Sequence, residues 1–323
     1  MPWILLGIIL VFSQMPIWGG FFDYKSRAFG EIRVERANQE VVHTGLTCAD
    51  IRAGRVPTLP ADTEPYVIQG IQERCDLARV AQTMGFFTLP YSLTFSFSIG
   101  QVLGMLLLAV LTASMLGTEY SWGTLRTILA RGTGRWQYLT AKLALIVLFA
   151  ASVWVIIGAA TVLNSLLATS LAPKVPPEVA DLLAVRGAGW SSTLIVTGRA
   201  FVSIVPYLAM AAFVTVLTTS LAAGIAVSLG YYFAEAIGAA LLINVVKVLS
   251  GVTDYLLVRN IGGWMLGSKE QVLESQILLG PFGFGQYPSE VHAIFVMLAY
   301  TLFFGALSFW LFRRRDVSGA SGG

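Results

Sequence analysis

Residues 117–142 read GTEYSWGTLRTILARGTGRWQYLTAK and lie between two long apolar runs. Glycines interrupt the segment, and its five charged side chains are Glu119, Arg126, Arg131, Arg135 and Lys142. An apolar run of about 20 residues is long enough to cross a bilayer as a helix. A charged segment between two such runs therefore predicts a loop at one membrane surface, with a spanning helix on either side.

The composition of the whole chain agrees with a membrane protein. Of the 323 residues, 56% are apolar and 12% are charged, which is about half the charged fraction of a soluble domain. The mean hydropathy is +0.72. The arginines lie at the ends of apolar runs or in separate loops, so a continuous basic face for nucleic acid is not expected. The chain has two cysteines and two histidines, and no metal site is predicted from them.

Six apolar segments predict an all-α polytopic membrane protein with six transmembrane helices. The predicted spans are about Trp3–Phe22, Ser92–Leu116, Leu143–Ala168, Ala200–Leu221, Ala223–Leu249 and Val291–Phe312. The first run lacks the basic flank and the small-residue cleavage site of a secretory signal. A retained span therefore fits it better than a cleaved peptide.

The loops between the spans define the predicted domain organisation. Glycine and proline interrupt the chain before the last span, which predicts short surface or re-entrant helices there rather than a further span. The predicted parts are transmembrane helix 1 (1–22), an extracytoplasmic lobe (23–90), helices 2–5 with the polar loop 117–142 (91–249), external surface helices (250–290), and helix 6 with a tail (291–323).

Cations near the span ends predict the orientation, because short cytoplasmic loops carry an excess of Lys and Arg. Arg313, Arg314 and Arg315 follow the last span, and the loop 117–142 is also basic. An even number of spans places both termini and this loop on the same side. We therefore expect a multi-pass protein of the plasma membrane with both termini cytoplasmic.

The two cysteines, Cys48 and Cys75, both fall in the predicted external lobe. Disulfides persist outside the cytoplasm, and a bridge would stabilise a lobe too small to rely on its own core. The alternative is a pair of free thiols.

The sequence contains no HExxH motif, so a zinc-dependent hydrolase is not expected, and the chain is not predicted to be an enzyme. It also lacks a phosphate-binding loop, because that motif requires Gly-Lys and no lysine here follows a glycine. We therefore expect no cofactor on this chain. If its work requires ATP, the nucleotide is hydrolysed on another polypeptide.

The loop 117–142 predicts a short amphipathic helix. Thr118 is a candidate N-cap for a helix that begins near Glu119, and Gly132 would end it. Leu125, Ile128 and Leu129 share one face, with Trp122 beside them. From composition alone, an anchor in the lipid headgroups is a reasonable alternative, because Trp and Arg favour that interface.

The same loop resembles the cytoplasmic signature of ABC exporter permeases of the second type (the ABC-2 family). The resemblance rests on Glu119-Tyr120, Gly123-Thr124-Leu125-Arg126, Leu129, Arg131-Gly132, Arg135 and Ala141-Lys142, and on the ending Arg314-Arg315-Asp316. It covers most of the chain from about Tyr91 onward. Six spans and the missing phosphate-binding loop are consistent with it.

The resemblance implies the membrane subunit of an exporter. Two permease copies, or one copy and a paralogue, would bind two ABC ATPase subunits that carry ATP and Mg. The loop helix would couple the two kinds of subunit: Glu119, Arg126 and Arg131 would make charged contacts, and Trp122, Leu125 and Ile128 the buried ones. Gly123 would permit close approach. Tyr120, Thr124, Gly132 and Arg135 complete the motif. A membrane anchor or assembly subunit that transports nothing is the alternative.

Glu235 is the most informative residue inside a predicted span, about 18 Å along helix 5 and near the middle of the bilayer. An ionised carboxylate there costs about 2.5–3.5 kcal/mol, so it must be protonated, paired or in contact with water. Two readings remain open: part of a substrate pathway, or a protonated carboxyl bonded to Ser or Thr. Gln14, Gln101 and Asn244 are weaker candidates for the pathway, since such residues commonly form hydrogen bonds between helices.

Overall fold

The structure is a computed structural model that describes residues 2–35, 41–48, 50, 75–173, 189–245, 247–267 and 287–314. Its helices are α1 (Pro2–Phe29), α2 (Leu77–Gly85), α3 (Tyr91–Ser121), α4 (Thr124–Ala130), α5 (Arg135–Leu171), α6 (Trp190–Thr218), α7 (Leu221–Asn244), α8 (Leu257–Leu266) and α9 (Glu290–Arg314). A 3-10 helix occupies Lys247–Tyr255, and strands β1 (Glu31–Glu35) and β2 (Val41–Thr47) pair in antiparallel fashion.

Within these residues, six helices are long and apolar enough to cross a membrane: α1, α3, α5, α6, α7 and α9. This confirms the predicted number of spans and the class, a multi-pass helical membrane protein. The hairpin of β1 and β2 was not predicted, and it corrects the expectation of a purely α fold. It lies in the part of the chain that the sequence assigned to an external lobe.

Every spanning helix except α7 is longer than the span predicted for it, and α3 and α5 are the longest of the six. Helix α3 has 31 residues and α5 has 37, so α5 rises about 55 Å at 1.5 Å per residue. A hydrocarbon core of about 30 Å cannot contain that length. Hydropathy marks only the membrane-embedded part, whereas the backbone hydrogen bonds of α5 continue to Arg135.

The described chain separates into two compact units. Unit 1 comprises Met1–Val11, Phe97–Ile157 and Leu194–Gly323, and unit 2 comprises Phe12–Ser96 and Gly158–Thr193. Helices α1, α3, α5 and α6 contribute residues to both units, so the boundaries fall within spans. The two compact units are therefore divided within spans, whereas the predicted domains were divided at the loops between spans.

In unit 2, helix α2 packs on the second half of α1. The core consists of Ile17, Phe21, Tyr24, Val80, Ala81, Met84, Phe87 and Ala168. The Phe87 ring lies 5.8 Å from the ring of Phe21 and 5.5 Å from that of Tyr24. Gly20 permits this approach, because a Cβ there would lie 2.5 Å from Cβ of Phe86. Cys48 and Cys75 are buried in this unit and form a disulfide, the pairing that the sequence favoured.

In unit 1, small residues bring helices together. A Cβ at Gly104 of α3 would lie 3.2 Å from the Ile204 side chain of α6. A Cβ at Gly117, near the end of α3, would lie 2.6 Å from Cα of Leu221, so α3 touches the start of α7 there. The end of α3 is thus packed tightly just before the loop of interest.

Helix α8 is enclosed by protein. Its buried residues are Leu257, Val258, Arg259, Asn260, Ile261, Gly262, Gly263 and Met265. A Cβ at Gly262 would lie 2.5 Å from the Tyr287 ring, and one at Gly263 would lie 2.5 Å from the Pro288 carbonyl oxygen. A short helix is therefore present in the region predicted to hold surface or re-entrant helices, and it is buried rather than exposed. Its placement relative to the membrane stays a prediction. The rest of the predicted surface region, residues 268–286, lies outside the described residues.

Candidate functional site

The polar loop folds as a helix between two glycine turns. Helix α3 ends at Ser121, and Gly123 adopts a left-handed conformation with φ of 67° directly before α4. After α4, Gly132 has φ of 88°, and its N–H donates to the Leu129 carbonyl at 3.1 Å. Glycine adopts such angles without steric cost, which explains its presence at both ends of α4.

The start of the loop helix differs from the prediction. The helix begins at Thr124, because Glu119 and Tyr120 belong to the last turn of α3. The Thr118 hydroxyl donates to the Ser114 carbonyl at 2.7 Å, within α3, so Thr118 is not a cap. Pattern reasoning could not separate the two helices, since only the short turn at Trp122 and Gly123 lies between them.

The apolar face of α4 packs on its own chain. We call the following residues the loop cluster: Leu116, Leu125, Tyr138, Leu139, Ala212, Val216 and Phe312. Tyr120, Ile128 and Leu129 are partly buried against it. Leu125 is 2% exposed, so its predicted role as a contact for a partner is wrong. It instead attaches α4 to the ends of α3, α5, α6 and α9.

Glu119 also has a partner within the chain. Its carboxylate forms an ion pair with the Lys142 ammonium, and both side chains are largely buried, at 16% and 24% exposure. The pair joins the end of α3 to α5. Glu119 thus has a partner within its own chain, and its predicted contact to another subunit stays a prediction. Lys142 acquires a role that the sequence did not indicate.

The opposite face of α4 is open. Thr124, Arg126 and Arg131 are exposed, and the Trp122 side chain is 78% exposed at the turn before α4. Arg135 begins α5, and its Nη1 donates to the Arg313 carbonyl at 2.9 Å. Of the residues predicted to couple to a partner, the exposed ones are thus Trp122, Gly123, Thr124, Arg126, Arg131 and Gly132.

A second site surrounds Glu235, which is 5% exposed within α7. Its Oε2 accepts from the Tyr207 hydroxyl at 3.3 Å, and its Oε1 accepts from the Tyr231 hydroxyl at 3.4 Å. Oε1 also accepts from the Leu257 N–H, at the first residue of α8. The N-cap residue Leu256 has no side-chain acceptor for α8. Glu235 therefore caps α8 from a neighbouring helix, where the positive end of the helix dipole favours a carboxylate.

The hydroxyl network continues beyond Glu235. The Tyr231 hydroxyl oxygen also lies 3.3 Å from the Tyr300 hydroxyl oxygen, and the Tyr300 hydroxyl donates to the Tyr255 carbonyl at 3.2 Å. Because a phenol has one proton, Tyr231 donates either to Glu235 or to Tyr300 at any moment. The partners are tyrosines and a backbone N–H, not the Ser or Thr that the sequence suggested. Among the described residues, Glu235 accepts from two hydroxyl groups and one backbone N–H, an arrangement that suits a carboxylate.

The other candidate pathway residues serve packing where they are described. Gln14 donates to Thr161 at 3.1 Å and accepts from Asn164 at 3.3 Å, both on α5. Gln101 is buried and donates to Met105 Sδ at 3.2 Å within α3. Asn244 is the last residue of α7, and its side chain lies outside the described residues.

A further polar cluster, missed in the sequence, holds the other end of α8. Arg199 of α6 pairs with Glu290 at the start of α9 and donates to the Trp264 carbonyl at 3.0 Å. The indole N–H of Trp264 donates back to the Arg199 carbonyl at 3.1 Å. The residues lie far apart in sequence, so no local pattern could have indicated the cluster. In the described ranges, no group of three or more His, Cys, Asp and Glu could hold a metal ion.

The fold identifies the class of protein: a polytopic membrane protein whose described part has six candidate membrane-spanning helices. The chain belongs to the family described as Protein of unknown function (DUF2705), whose sequence profile matches residues 79–318. That range includes all of α3 to α9 and both sites described above. No curated protein and no solved structure significantly matches the chain.

Proposed function

We propose that the chain is the membrane-spanning permease subunit of an ABC exporter, which moves its substrate outward with ATP hydrolysed on a separate subunit. The observation that carries the proposal is the two-faced loop helix α4. One face is buried in the loop cluster. The other presents Arg126 outward, and Trp122 and Arg131 are exposed just before and just after the helix. This surface coincides with the motif that resembles the family signature.

The attachment of α4 supports a mechanical role. The loop cluster joins α4 to the ends of four spans, α3, α5, α6 and α9. The ion pair between Glu119 and Lys142 links α3 and α5 beside it. A packed core transmits displacement because it is close-packed and deforms little. A push on α4 would therefore reach all four spans together.

The exposed residues suggest the chemistry of the partner. Arg126 and Arg131 are cations that favour a carboxylate-lined groove, and an exposed Trp is a common anchor in protein interfaces. Two ABC ATPase subunits with ATP and Mg would supply such grooves to two permease copies, or to one copy and a paralogue. The proposal places the loop and both termini in the cytoplasm and the protein in the plasma membrane.

Copurification tests the proposal. The tagged chain, extracted from native membranes, is expected to retain a P-loop ATPase, and replacement of Arg126 and Arg131 by Glu should release it. Lys25→Glu is a matched control, because Lys25 is an exposed cation of α1 outside the loop. If no ATPase copurifies under conditions that preserve the fold, the proposal is contradicted. ATP-dependent transport by the complex in liposomes then separates an exporter from an assembly subunit.

A further inference from the structure

Where α5 begins and α9 ends, arginines and tryptophans lie side by side. We call Arg135, Trp136, Trp310, Arg313 and Arg314 the Arg–Trp cluster. The Arg135 Nη1 donates to the Arg313 carbonyl at 2.9 Å. The guanidinium of Arg314 lies over the Trp310 ring, 4.5 Å from its centroid. Two span ends thus present three cations and two indole rings in one place.

The tryptophans of this cluster are exposed in a way that a folded core does not explain. Trp136 is 64% exposed and Trp310 is 49% exposed. The Trp136 ring lies 4.2 Å from that of Phe309, one turn before Arg313 on α9. Tryptophan is enriched where the hydrocarbon meets the headgroups. The rings therefore mark the depth of the cluster in the membrane.

The length of α9 gives the same depth. Its 25 residues rise about 37 Å, which exceeds a hydrocarbon core of about 30 Å. Phe303 lies two turns before Trp310 and is 60% exposed, as expected for a side chain that faces acyl chains. Arg313 and Arg314 then reach the level of the lipid phosphates.

The charges at this depth have no carboxylate neighbour within the part of the chain that the structure describes. Among the described residues, Arg313 and Arg314 have no carboxylate partner, and both side chains are exposed. Guanidinium groups bind phosphate oxygens in a bidentate manner. Basic pockets between spanning helices are known to bind anionic headgroups.

We propose that the Arg–Trp cluster binds the headgroup of an anionic glycerophospholipid. The arginines hold the phosphate, and the indole rings lie at the level of the glycerol and the first acyl carbons. This inference does not depend on the proposed transport function, because the cluster lies at span ends and not on the exposed face of α4. The alternative occupant of the Arg–Trp cluster is an acidic protein surface. In that case the purified chain would retain anionic and zwitterionic lipids equally.

Native mass spectrometry of the purified full chain in detergent tests this. The probes are phosphatidylglycerol and phosphatidylcholine with identical acyl chains, added in equal amounts. We expect the chain to retain phosphatidylglycerol preferentially. Each arginine near a membrane surface contributes about fivefold to the binding of anionic lipid. The double variant R313Q/R314Q is therefore expected to lower the preference by about 25-fold.

The matched control is R126Q/R131Q, which removes two exposed arginines from the loop and should keep the wild-type preference. Equal retention of both lipids by the wild-type chain would overturn the proposal, as would an unchanged preference in R313Q/R314Q. A loss in R126Q/R131Q alone would place the lipid at α4 instead. If R313Q/R314Q does not fold, R313K/R314K decides: it keeps the charge but loses the bidentate geometry, and the preference should fall by a smaller factor. No fall in that variant would contradict arginine-specific binding.

Discussion

Glu119 at the end of α3 forms a largely buried ion pair with Lys142 of α5. The pair links α3 directly to α5, and no residue of α4 takes part in it. The buried Glu119 Oε2 has no hydrogen-bond partner among the described residues, so the carboxylate depends on Lys142. Loss of one partner would leave the other charge in a poorly solvated place.

Removal of either charge should therefore destabilise the loop. We expect Glu119→Gln or Lys142→Met to lower the free energy of unfolding by about 1–3 kcal/mol, between the values for exposed and fully buried pairs. The reversed pair, Glu119→Lys with Lys142→Glu, should recover part of the loss. Thermal unfolding in detergent measures this. A reversed pair no more stable than the single charge-reversal variants would mean that the ion pair contributes nothing.

The burial of Leu125 makes a second prediction. Leu125→Ala removes a side chain that is 2% exposed, and such truncations cost about 2–5 kcal/mol. If the proposed function holds, coupling should weaken along with stability, because α4 loses its attachment to the four spans. Thr127→Ala on the exposed face is the control and should remain within about 0.5 kcal/mol of the wild type. Equal effects of the two substitutions on unfolding would contradict the orientation of α4.

The network at Glu235 predicts a local effect. Glu235→Gln replaces one carboxylate oxygen by an NH2 group. This group would face the hydroxyl and N–H donors that Glu235 accepts from, so α8 should lose its cap. We expect faster hydrogen exchange of the first amides of α8, by about tenfold for a loss of about 1.4 kcal/mol. Gln101→Ala, a buried substitution in α3, is the control for general loosening. Unchanged exchange in α8 would indicate that Glu235 does not hold it.

The disulfide makes a prediction for unit 2. Cys48 and Cys75 enclose a separation of 27 residues, and closing a loop of that size stabilises by about 3–4 kcal/mol. Cys48→Ser should therefore lower the stability of unit 2 without changing the exposure of α4. Mass spectrometry of the unreduced chain should find one intramolecular bridge. Two alkylated thiols in chain taken from native membranes would contradict the pairing.

The spans could be predicted from sequence because a bilayer imposes a minimum apolar length. Their ends could not, since the backbone of α5 continues through the polar residues from Arg135 onward. The glycines that bound α4 were visible, and Gly132 ends the helix as expected. Gly123 was predicted to lie inside the loop helix, whereas it forms the turn before α4. A glycine in a short segment is compatible with either position, so the sequence alone did not distinguish them.

Burial and pairing depended on tertiary structure. Leu125 looks like any exposed apolar residue of an amphipathic helix until residues of α6 and α9 cover it. For Glu235, Tyr231 lies four residues earlier on the same helix and could have been recognised, whereas Tyr207 and Leu257 come from other elements. Long-range partners of this kind leave no periodic signal in a single sequence.

The central claim is that the exposed face of α4 contacts an ATPase carried on another polypeptide. The most direct measurement is photocrosslinking from a benzoyl-phenylalanine introduced at Thr127, which is exposed on α4, in intact cells. The account predicts an adduct that contains a P-loop ATPase and that disappears when Arg126 and Arg131 are replaced by Glu. Adducts with lipid alone, or with proteins of the outer surface, would contradict it.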